Sequence, residues 1–320
     1  MKEPGGRVLL LTDEAMDAHA AQGHPERPER RSAVAAGVRD AAGDALVEEA
    51  PVPATDATLA AIHDPAYLAA LDVLDGNGGG WLDADTYVAA GSMTAARLAA
   101  GATVRAAHAV VAGDAAVGFA VVRPPGHHAM RGRAGGFCLV NNVAVAVAAL
   151  RASGAARRVA IVDWDVHHGD GTQAIFDADP DCWYGSTHQM PLFPGTGAAS
   201  EVGSGPAIGT KLNLPLAPGS DDDDFVSAWA EELLPSAEAF EPDAILVSAG
   251  YDGHREDPLA NLRVTERGYE IVARELGATI SRLGLTGVAL TLEGGYDLDA
   301  LRASAAATVR GLLTGLAGDA

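Results

Sequence analysis

Asp163-Trp164-Asp165-Val166-His167-His168-Gly169-Asp170-Gly171 is the stretch of sequence that decides the fold of this chain. It follows the apolar, β-branched run at 158–162, which is typical of a buried central strand in a parallel sheet. The Gly-Asp-Gly at its end favours a turn. The acids and histidines therefore lie at the C-terminal end of a strand, where open α/β sheets bind their ligands.

Asp163, Asp165 and His167 are two residues apart, so an extended backbone points all three side chains to one face. A carboxylate and an imidazole on one face can hold zinc, although acids and histidines at strand ends also serve as caps and turns. A metal site needs a third ligand from elsewhere. Asp252 is the natural candidate, because it follows another apolar run, 244–248, that ends at the same edge.

Two further apolar runs end in residues suited to chemistry. The run 118–122 leads to Arg123-Pro124-Pro125-Gly126-His127-His128, where two prolines fix the backbone before a histidine pair. The run 287–292 leads to Glu293-Gly294-Gly295-Tyr296, which presents a phenol. Because parallel strands end at one edge, all of these side chains are expected in one site.

The remaining side chains of this edge complete a hydrolytic site. His127 and His128 are suited to proton transfer. Asp163 and Asp170 are carboxylates able to orient those imidazoles and raise their basicity. Tyr296 is placed to donate to the oxyanion of a tetrahedral intermediate. With Asp165, His167 and Asp252 leaving an open zinc position, the pattern predicts metal-assisted hydrolysis.

Strands and helices alternate along the chain, which predicts one α/β domain spanning residues 1–320. No linker, internal repeat or low-complexity tail interrupts the pattern. The Gly-rich segment 76–80 predicts a flexible loop, which either lines a cleft or is an idle connection. Beyond the strands above, the sequence predicts strands at 8–12, 183–188 and 211–214, and helices at 28–41, 58–74 (broken at 63–65), 94–111, 141–152, 171–176, 221–239 and 298–313.

The formal charge is −21, and lysine occurs only as Lys2 and Lys211. Such a surface repels nucleic acid phosphates, so we expect no nucleic acid partner. It suits a cationic substrate, or equally a well-solvated surface.

The two cysteines, Cys138 and Cys182, are too few for a disulfide framework and are predicted to be buried thiols. No apolar stretch is long enough to cross a bilayer, and the first residues do not resemble a secretory signal. We therefore expect no membrane partner and a cytoplasmic protein.

Taken together, these motifs resemble the zinc-dependent histone deacetylase family, including its bacterial deacetylase-like and acetylpolyamine amidohydrolase branches. The resemblance runs from His24 to the last helix. The sequence at 24–30 and at Asp257-Pro258-Leu259 resembles the class II and bacterial branches more than class I. The motifs occur in the family's order: Pro124-Pro125-Gly126-His127-His128, Gly136-Phe137-Cys138, 163–171, Pro194-Gly195-Thr196-Gly197, Ser248-Ala249-Gly250-Tyr251-Asp252 and 293–296.

The resemblance implies the arginase/deacetylase fold, a three-layer α/β/α arrangement around an eight-stranded parallel sheet. It implies hydrolysis of an amide with release of acetate. His128, paired with Asp170, would act as general base, and His127, paired with Asp163, would assist the leaving amine. Tyr296 would stabilise the oxyanion. Which imidazole protonates the amine is not decided by the sequence, and Fe²⁺ or Co²⁺ can use the same ligands as Zn²⁺.

The resemblance also implies a substrate tunnel and an exit channel. Gly136, Phe137 and Phe193 would wall a narrow tunnel for an alkyl chain, with Leu259 beside it. Asp85 would bind the backbone amides of the substrate.

Two further sites follow from the resemblance. Arg30 would line the channel by which acetate leaves, which accounts for a cation in the first turn of a helix, although pairing with Glu26 or Glu29 is the simpler explanation. One potassium ion would bind carbonyls of Asp163, Asp165 and His167 together with Ser186, and a second would bind near Phe176.

Four functions remain open at this point. Deacetylation of acetyl-lysine in peptides or proteins leads, and acetylpolyamine hydrolysis is the close alternative. Leu259 stands where an acidic residue would recognise a polyamine, whereas the overall acidity permits a polycation. A manganese ureohydrolase needs more metal ligands. A non-catalytic acyl-lysine binder should lack Tyr296 or one histidine of the pair. The sequence does not indicate the oligomeric state.

Overall fold

The centre of the structure, a computed structural model that describes residues 6–318, is an eight-stranded sheet in which every neighbouring pair is parallel. The strand order is β2-β1-β5-β10-β9-β6-β7-β8, with β3 and β4 forming a separate antiparallel pair. The strands are β1 (Val8–Leu11), β2 (Leu46–Glu49), β3 (Gly79–Trp81), β4 (Tyr87–Ala89), β5 (Val117–Ala120), β6 (Val159–Asp163), β7 (Cys182–Gln189), β8 (Lys211–Leu216), β9 (Ala244–Ala249) and β10 (Val288–Leu292).

Helices cover both faces of the sheet. The helices are α1 (Glu29–Ala42), α2 (Asp56–Ala60), α3 (Pro65–Gly76), α4 (Ser92–Val111), α5 (Asn142–Ser153), α6 (Asp170–Phe176), α7 (Asp222–Ser227), α8 (Leu234–Ala239), α9 (Glu266–Arg282) and α10 (Leu298–Ala317). Along β6, Val159 and Ile161 pack into the apolar core beneath α3, α4 and α5, whereas Ala160 and Val162 pack beneath α1, α9 and α10. This alternation confirms the predicted three-layer α/β/α fold.

Most predicted elements are confirmed within a few residues at each end. The break at 63–65 separates α2 from α3, because Asp64 caps α3 through the N–H of Ala66 and Pro65 begins it. Cys138 and Cys182 are buried free thiols, as predicted. Within residues 6–318, no helix combines the length and apolar character required to cross a membrane.

Three predictions of secondary structure are wrong or incomplete. The helix expected over 221–239 is interrupted by a π-helical turn at Ala228–Leu233, next to Pro235, which has no N–H to continue the helical ladder. The loop expected at 76–80 instead enters β3, which pairs with β4. The sequence analysis also assigned no element to β2 or to α9.

Glycines allow α9 and α10 to pack backbone to backbone. A Cβ on Gly315 would lie 2.0 Å from the carbonyl oxygen of Arg274, and one on Gly311 would lie 2.3 Å from that of Glu270. Such distances are far below van der Waals contact, so a side chain at either position forces the helices apart.

We expect Gly315→Ala to destabilise the chain by about 1–3 kcal/mol, because the added methyl group overpacks this contact. The change is measured as a lower midpoint in thermal or urea unfolding. Thr314→Ala is the matched control, since Thr314 is exposed in the same helical turn and its loss should leave the midpoint nearly unchanged. Equal midpoints for Gly315→Ala and the parent would contradict the close packing.

Candidate active site

Three predicted metal ligands meet at the C-terminal edge of β6 and β9, which are neighbours in the sheet. One ligand atom from each of Asp165, His167 and Asp252 lies within 4.8 Å of the others. Nδ1 of His167 is 3.1 Å from Oδ1 of Asp165 and 3.1 Å from Oδ2 of Asp252. The structure therefore brings together the three side chains that the sequence analysis selected as ligands.

The chemistry of these donors fits a divalent cation. Two carboxylates, each at most 1% exposed, face one another and one imidazole, which is a donor set that zinc accepts. Burial lowers the pKa of His167, but the two carboxylates outweigh it and raise the pKa to about 10. The two buried carboxylates therefore favour a positive charge between them.

The surroundings of the triad are shaped for these carboxylates. Outer oxygens of Asp165 and Asp252 accept the N–H groups of Gly294 and Val166 at 2.7 and 2.8 Å, which fixes their orientation. A Cβ on Gly294 would lie 2.1 Å from Oδ2 of Asp252, so only glycine leaves room for that carboxylate.

The histidine pair lies beside the triad, and each imidazole has its own carboxylate. Nδ1 of His127 is 3.0 Å from Asp163, and Nδ1 of His128 is 2.8 Å from Asp170, while the two rings are 4.0 Å apart. Burial lowers the pKa of His127, but the charges of Asp165 and Asp163 raise it well above its ordinary value. Burial and then the charge of His127 lower the pKa of His128 to about 3. The two imidazoles therefore differ in proton affinity.

Glu293 is a structural part of the site that the sequence analysis left without a role. This fully buried carboxylate accepts the N–H groups of Gly126 and His127 at 2.6 and 3.1 Å and the hydroxyl of Ser248 at 3.1 Å. It therefore holds the loop of the histidine pair against the ends of β9 and β10. Its position directly after an apolar strand was the available signal.

A cavity of about 260 Å³ opens above these groups. Gly136 lies where the cavity is narrow, and only glycine fits there. A Cβ at this position would lie 2.3 Å from Cδ2 of His128 and 3.0 Å from the ring of Phe193. Phe193 and Leu259 are 50% and 38% exposed at the opening. The cavity is lined by the predicted tunnel residues and by those of the predicted catalytic and metal-binding side chains that face it, namely Asp85, His127, His128, Gly136, Phe137, His167, Phe193, Leu259 and Tyr296.

Tyr296 and Arg30 occupy the floor of the site. The guanidinium of Arg30 lies 4.9 Å from the centre of the Tyr296 ring, and the ring of Phe137 meets Tyr296 edge to face. Arg30 is fully buried and donates to the carbonyl oxygens of Gly295 and Glu293. The predicted channel residue is therefore directly behind the predicted oxyanion donor.

Three other predicted residues surround this centre. Asp85 lies exposed at the rim, and its carbonyl oxygen is 2.9 Å from Nε2 of His24. Ser186 is opposite Asp163 in the parallel register of β6 and β7, so it adjoins the predicted potassium site. Phe176 is the last residue of α6.

A model of the histone deacetylase domain matches residues 24–312 of the chain. The chain belongs to the histone deacetylase family. It is 42% identical to histone deacetylase 15 of Arabidopsis thaliana over 316 residues, which cover 94% of this chain but only 56% of that protein. A histone deacetylase-like amidohydrolase of Pseudomonas aeruginosa is 38% identical over 281 residues, covering 87% of this chain and 74% of that protein. The crystal structure of the HDA15 HD domain superposes with a TM-score of 0.89 at 39% identity, covering 96% of this chain and 88% of that one.

Membership of the histone deacetylase family confirms the fold and the resemblance drawn from the motifs. It assigns the chain to hydrolases that act on amides, in a family that generally depends on a metal. The triad of Asp165, His167 and Asp252 is a group of side chains that could hold such a metal.

The sequence analysis predicted only part of a buried ion cluster that lies beneath the candidate site. Glu26 accepts from Arg123 at 2.6 Å through both carboxylate oxygens and from Arg30 at 2.9 Å. The sequence analysis named pairing with Glu26 as the simpler reason for the position of Arg30. The structure shows this ion pair together with the hydrogen bonds from Arg30 to the carbonyl oxygens of Gly295 and Glu293. Burial raises the pKa of Glu26, but the two guanidiniums outweigh it and lower the pKa to about 2.

We expect Glu26→Gln to lower the free energy of unfolding by about 3 kcal/mol at pH 7, because it removes the ion-pair partner of buried Arg30 and, among residues 6–318, leaves buried Arg123 with only Asp17, at 3.9 Å. A carboxylate with a lowered pKa stabilises the fold above its unfolded pKa of about 4.5 and loses that effect as the pH falls toward 2. The difference between the two chains, measured by urea unfolding at several pH values, should therefore narrow below pH 4.5.

Glu48→Gln is the control, because Glu48 forms a similar two-oxygen pair with Arg39 on the surface, where both side chains are 44% exposed. Its loss should cost no more than about 1 kcal/mol. Equal effects of the two substitutions would contradict a special role for the buried cluster.

Proposed function

We propose that this chain is a zinc-dependent deacetylase that hydrolyses the amide of acetyl-lysine side chains in peptides or proteins and releases acetate. The observation that carries the proposal is the pair of imidazoles with separate carboxylate partners, placed beside a metal-binding triad at the bottom of a narrow cavity. An ion bound at this triad would supply a Lewis acid that polarises the acetyl carbonyl and lowers the pKa of an attacking water.

His128 is the proposed general base. Its Nδ1 is held by Asp170, which leaves Nε2 as the free nitrogen of a ring that lines the cavity. The lowered pKa keeps that nitrogen free of a proton at neutral pH, so it can accept one from water. His127, whose Nδ1 faces Asp163 and whose pKa is raised, would assist the leaving amine, either electrostatically or as the acid that gives the nitrogen its proton.

Tyr296 is the proposed oxyanion donor. Burial raises the pKa of its phenol well above the ordinary value, so the hydroxyl keeps its proton and can donate a hydrogen bond. Arg30, behind the ring, would attract the acetate product toward the interior.

The shape and the rim of the cavity support an acylated primary amine as the substrate. Apolar walls from Phe137, Phe193 and Leu259 suit the methylene chain of lysine, and Asp85 at the rim would accept backbone N–H groups of a peptide. An acetylpolyamine is the second candidate, favoured by the net charge of −21. Leu259, rather than an acid, at the opening weighs against it.

We also propose a bound potassium ion and a cellular location for the protein. A potassium ion held by backbone carbonyls of Asp163, Asp165 and His167 together with Ser186 would support the loop that carries the ligands. A cytoplasmic location is in keeping with the free, buried thiols of Cys138 and Cys182.

Removing one ligand should abolish metal binding without unfolding the chain. We expect Asp252→Asn to retain less than about a tenth of the bound zinc, since one carboxylate and its charge are lost from the triad. Metal content after dialysis is the measurement. Asp170→Asn is the matched control, because Asp170 contacts His128 and not the triad; it should keep the zinc and lose activity. Equal zinc in all three proteins would refute the assignment of Asp252 as a ligand.

Acetate release from two classes of substrate, an acetylated peptide and acetylated polyamines, distinguishes the candidate reactions. We expect the zinc-loaded protein to deacetylate an acetyl-lysine peptide faster than acetylputrescine or acetylspermidine, and Tyr296→Phe to lower kcat by about 10²- to 10³-fold through loss of one oxyanion donor. Faster turnover of the acetylated polyamines would indicate that the protein is an acetylpolyamine amidohydrolase with the same mechanism. If the zinc-loaded protein releases acetate from neither substrate, deacetylation of short acyl groups is refuted.

A further inference from the structure

Lys211 is one of only two lysines in the chain, and it is the first residue of β8. Its side chain is 2% exposed. Lysine is almost never fully buried without a partner of opposite charge. Among residues 6–318, however, no carboxylate forms an ion pair with Lys211; Asp179 and Asp177 act on it only at longer range. The compensation for this buried charge therefore has another source.

Three uncharged oxygens surround the ammonium group. Nζ of Lys211 donates to the carbonyl oxygen of Cys182 at 2.9 Å, to the hydroxyl of Thr210 at 2.7 Å and to the carbonyl oxygen of Thr210 at 3.3 Å. An ammonium has three N–H donors and no acceptor, so this set of oxygens, here named the oxygen cradle, satisfies it completely. Burial lowers the pKa of the amine. A neutral amine, however, would point its lone pair at an oxygen that can only accept, so the surrounding oxygens favour the charged ammonium form.

The oxygen cradle has the composition of a monovalent cation site. Backbone carbonyl oxygens that replace the hydration shell are the ligands that proteins offer to K⁺. The carbonyl oxygen of Thr210 also accepts the N–H of Tyr184 at 3.0 Å, so the cation at this position connects the starts of β7 and β8.

The oxygen cradle also lies next to the second potassium site that the family resemblance implied near Phe176. The N–H of Asp179 donates to the carbonyl oxygen of Phe176 at 3.0 Å, and the N–H of Cys182 donates to that of Asp179 at 3.3 Å. Two backbone hydrogen bonds thus link the end of α6 to the oxygen cradle.

We propose that Lys211 provides this cation from within the chain, so that its ammonium group occupies the oxygen cradle and no second potassium ion binds there. The donor set does not leave room for both, because the three oxygens are already paired with the three N–H groups. The proposal is independent of the reaction assigned to the active site, since it concerns the other end of β7.

Lys211→Met tests the proposal, because methionine keeps most of the apolar stem and removes the charge. In choline chloride, the Tm of the variant should fall by several degrees, since the oxygens of the cradle lose their donors. KCl at the same ionic strength should restore part of that loss, and the gain from KCl over choline chloride should be larger for the variant than for the parent chain. An equal gain in the two chains overturns the proposal.

Arg151→Met is the matched control for loss of a nearby positive charge. Arg151 pairs with Asp179 at 2.5 Å and does not contact the oxygen cradle. Its variant should respond to KCl as the parent chain does. A gain from KCl as large as that of Lys211→Met would indicate general charge compensation and overturn the proposal.

A measurement on the unaltered protein decides the matter if Lys211→Met does not fold. With ¹⁵N-labelled lysine, the two lysines give only two side-chain Nζ signals. We expect one of them to exchange its protons slowly at neutral pH and to keep its chemical shift when KCl replaces choline chloride. Two rapidly exchanging signals, or a shift displaced by KCl, would show that the ammonium is not fixed in the cradle.

Discussion

The structure depends on keeping carboxylates buried at one edge of a parallel sheet. Asp163, Asp165, Asp252, Glu26 and Glu293 are each at most 1% exposed, and an unpaired charge at such a position is unstable. Each is compensated differently, by imidazoles, by backbone N–H groups or by guanidiniums. Because these partners come from distant parts of the chain, charge compensation fixes how the loops at this edge are placed relative to one another.

This constraint links the fold to the chemistry. The carboxylates of Asp163 and Asp170 accept the hydrogen bonds that orient the two imidazoles. Gly250 and Gly294 leave room for the carboxylates of Asp165 and Asp252, and the N–H of Gly294 donates to Asp165. Rigidity of this kind is what a hydrolytic site requires, since catalytic groups must be in place before the substrate arrives.

The residues of the candidate site could be grouped from the sequence because parallel strands all end at one edge. Once 158–162 is identified as a strand, the shared face of Asp165 and His167 follows from a period of two, and the other strand ends follow from topology. The position of Asp252 beside them could be inferred for the same reason. By contrast, Arg123 pairs with Glu26 from 97 positions away, and no local pattern specifies such a contact.

The secondary structure was predicted less completely than the site. In α9, apolar residues at 269, 272, 273, 276 and 280 have the spacing of a helix with charged residues on the opposite face, so the signal was present in the sequence and was overlooked. In β2, only four half-buried or exposed residues form an edge strand, which gives almost no apolar alternation. The π-helical turn before Pro235 depends on packing, so propensity alone could not place it.

The burial of Lys211 has a chemical consequence for the protein itself. An amine that donates all of its protons to fixed oxygens has no accessible lone pair, so acyl donors and amine-directed labels cannot react with it while the chain is folded. Arginine, which is not a target of acetylation, carries nearly all of the remaining positive charge. The chain therefore offers very few side chains for lysine acetylation.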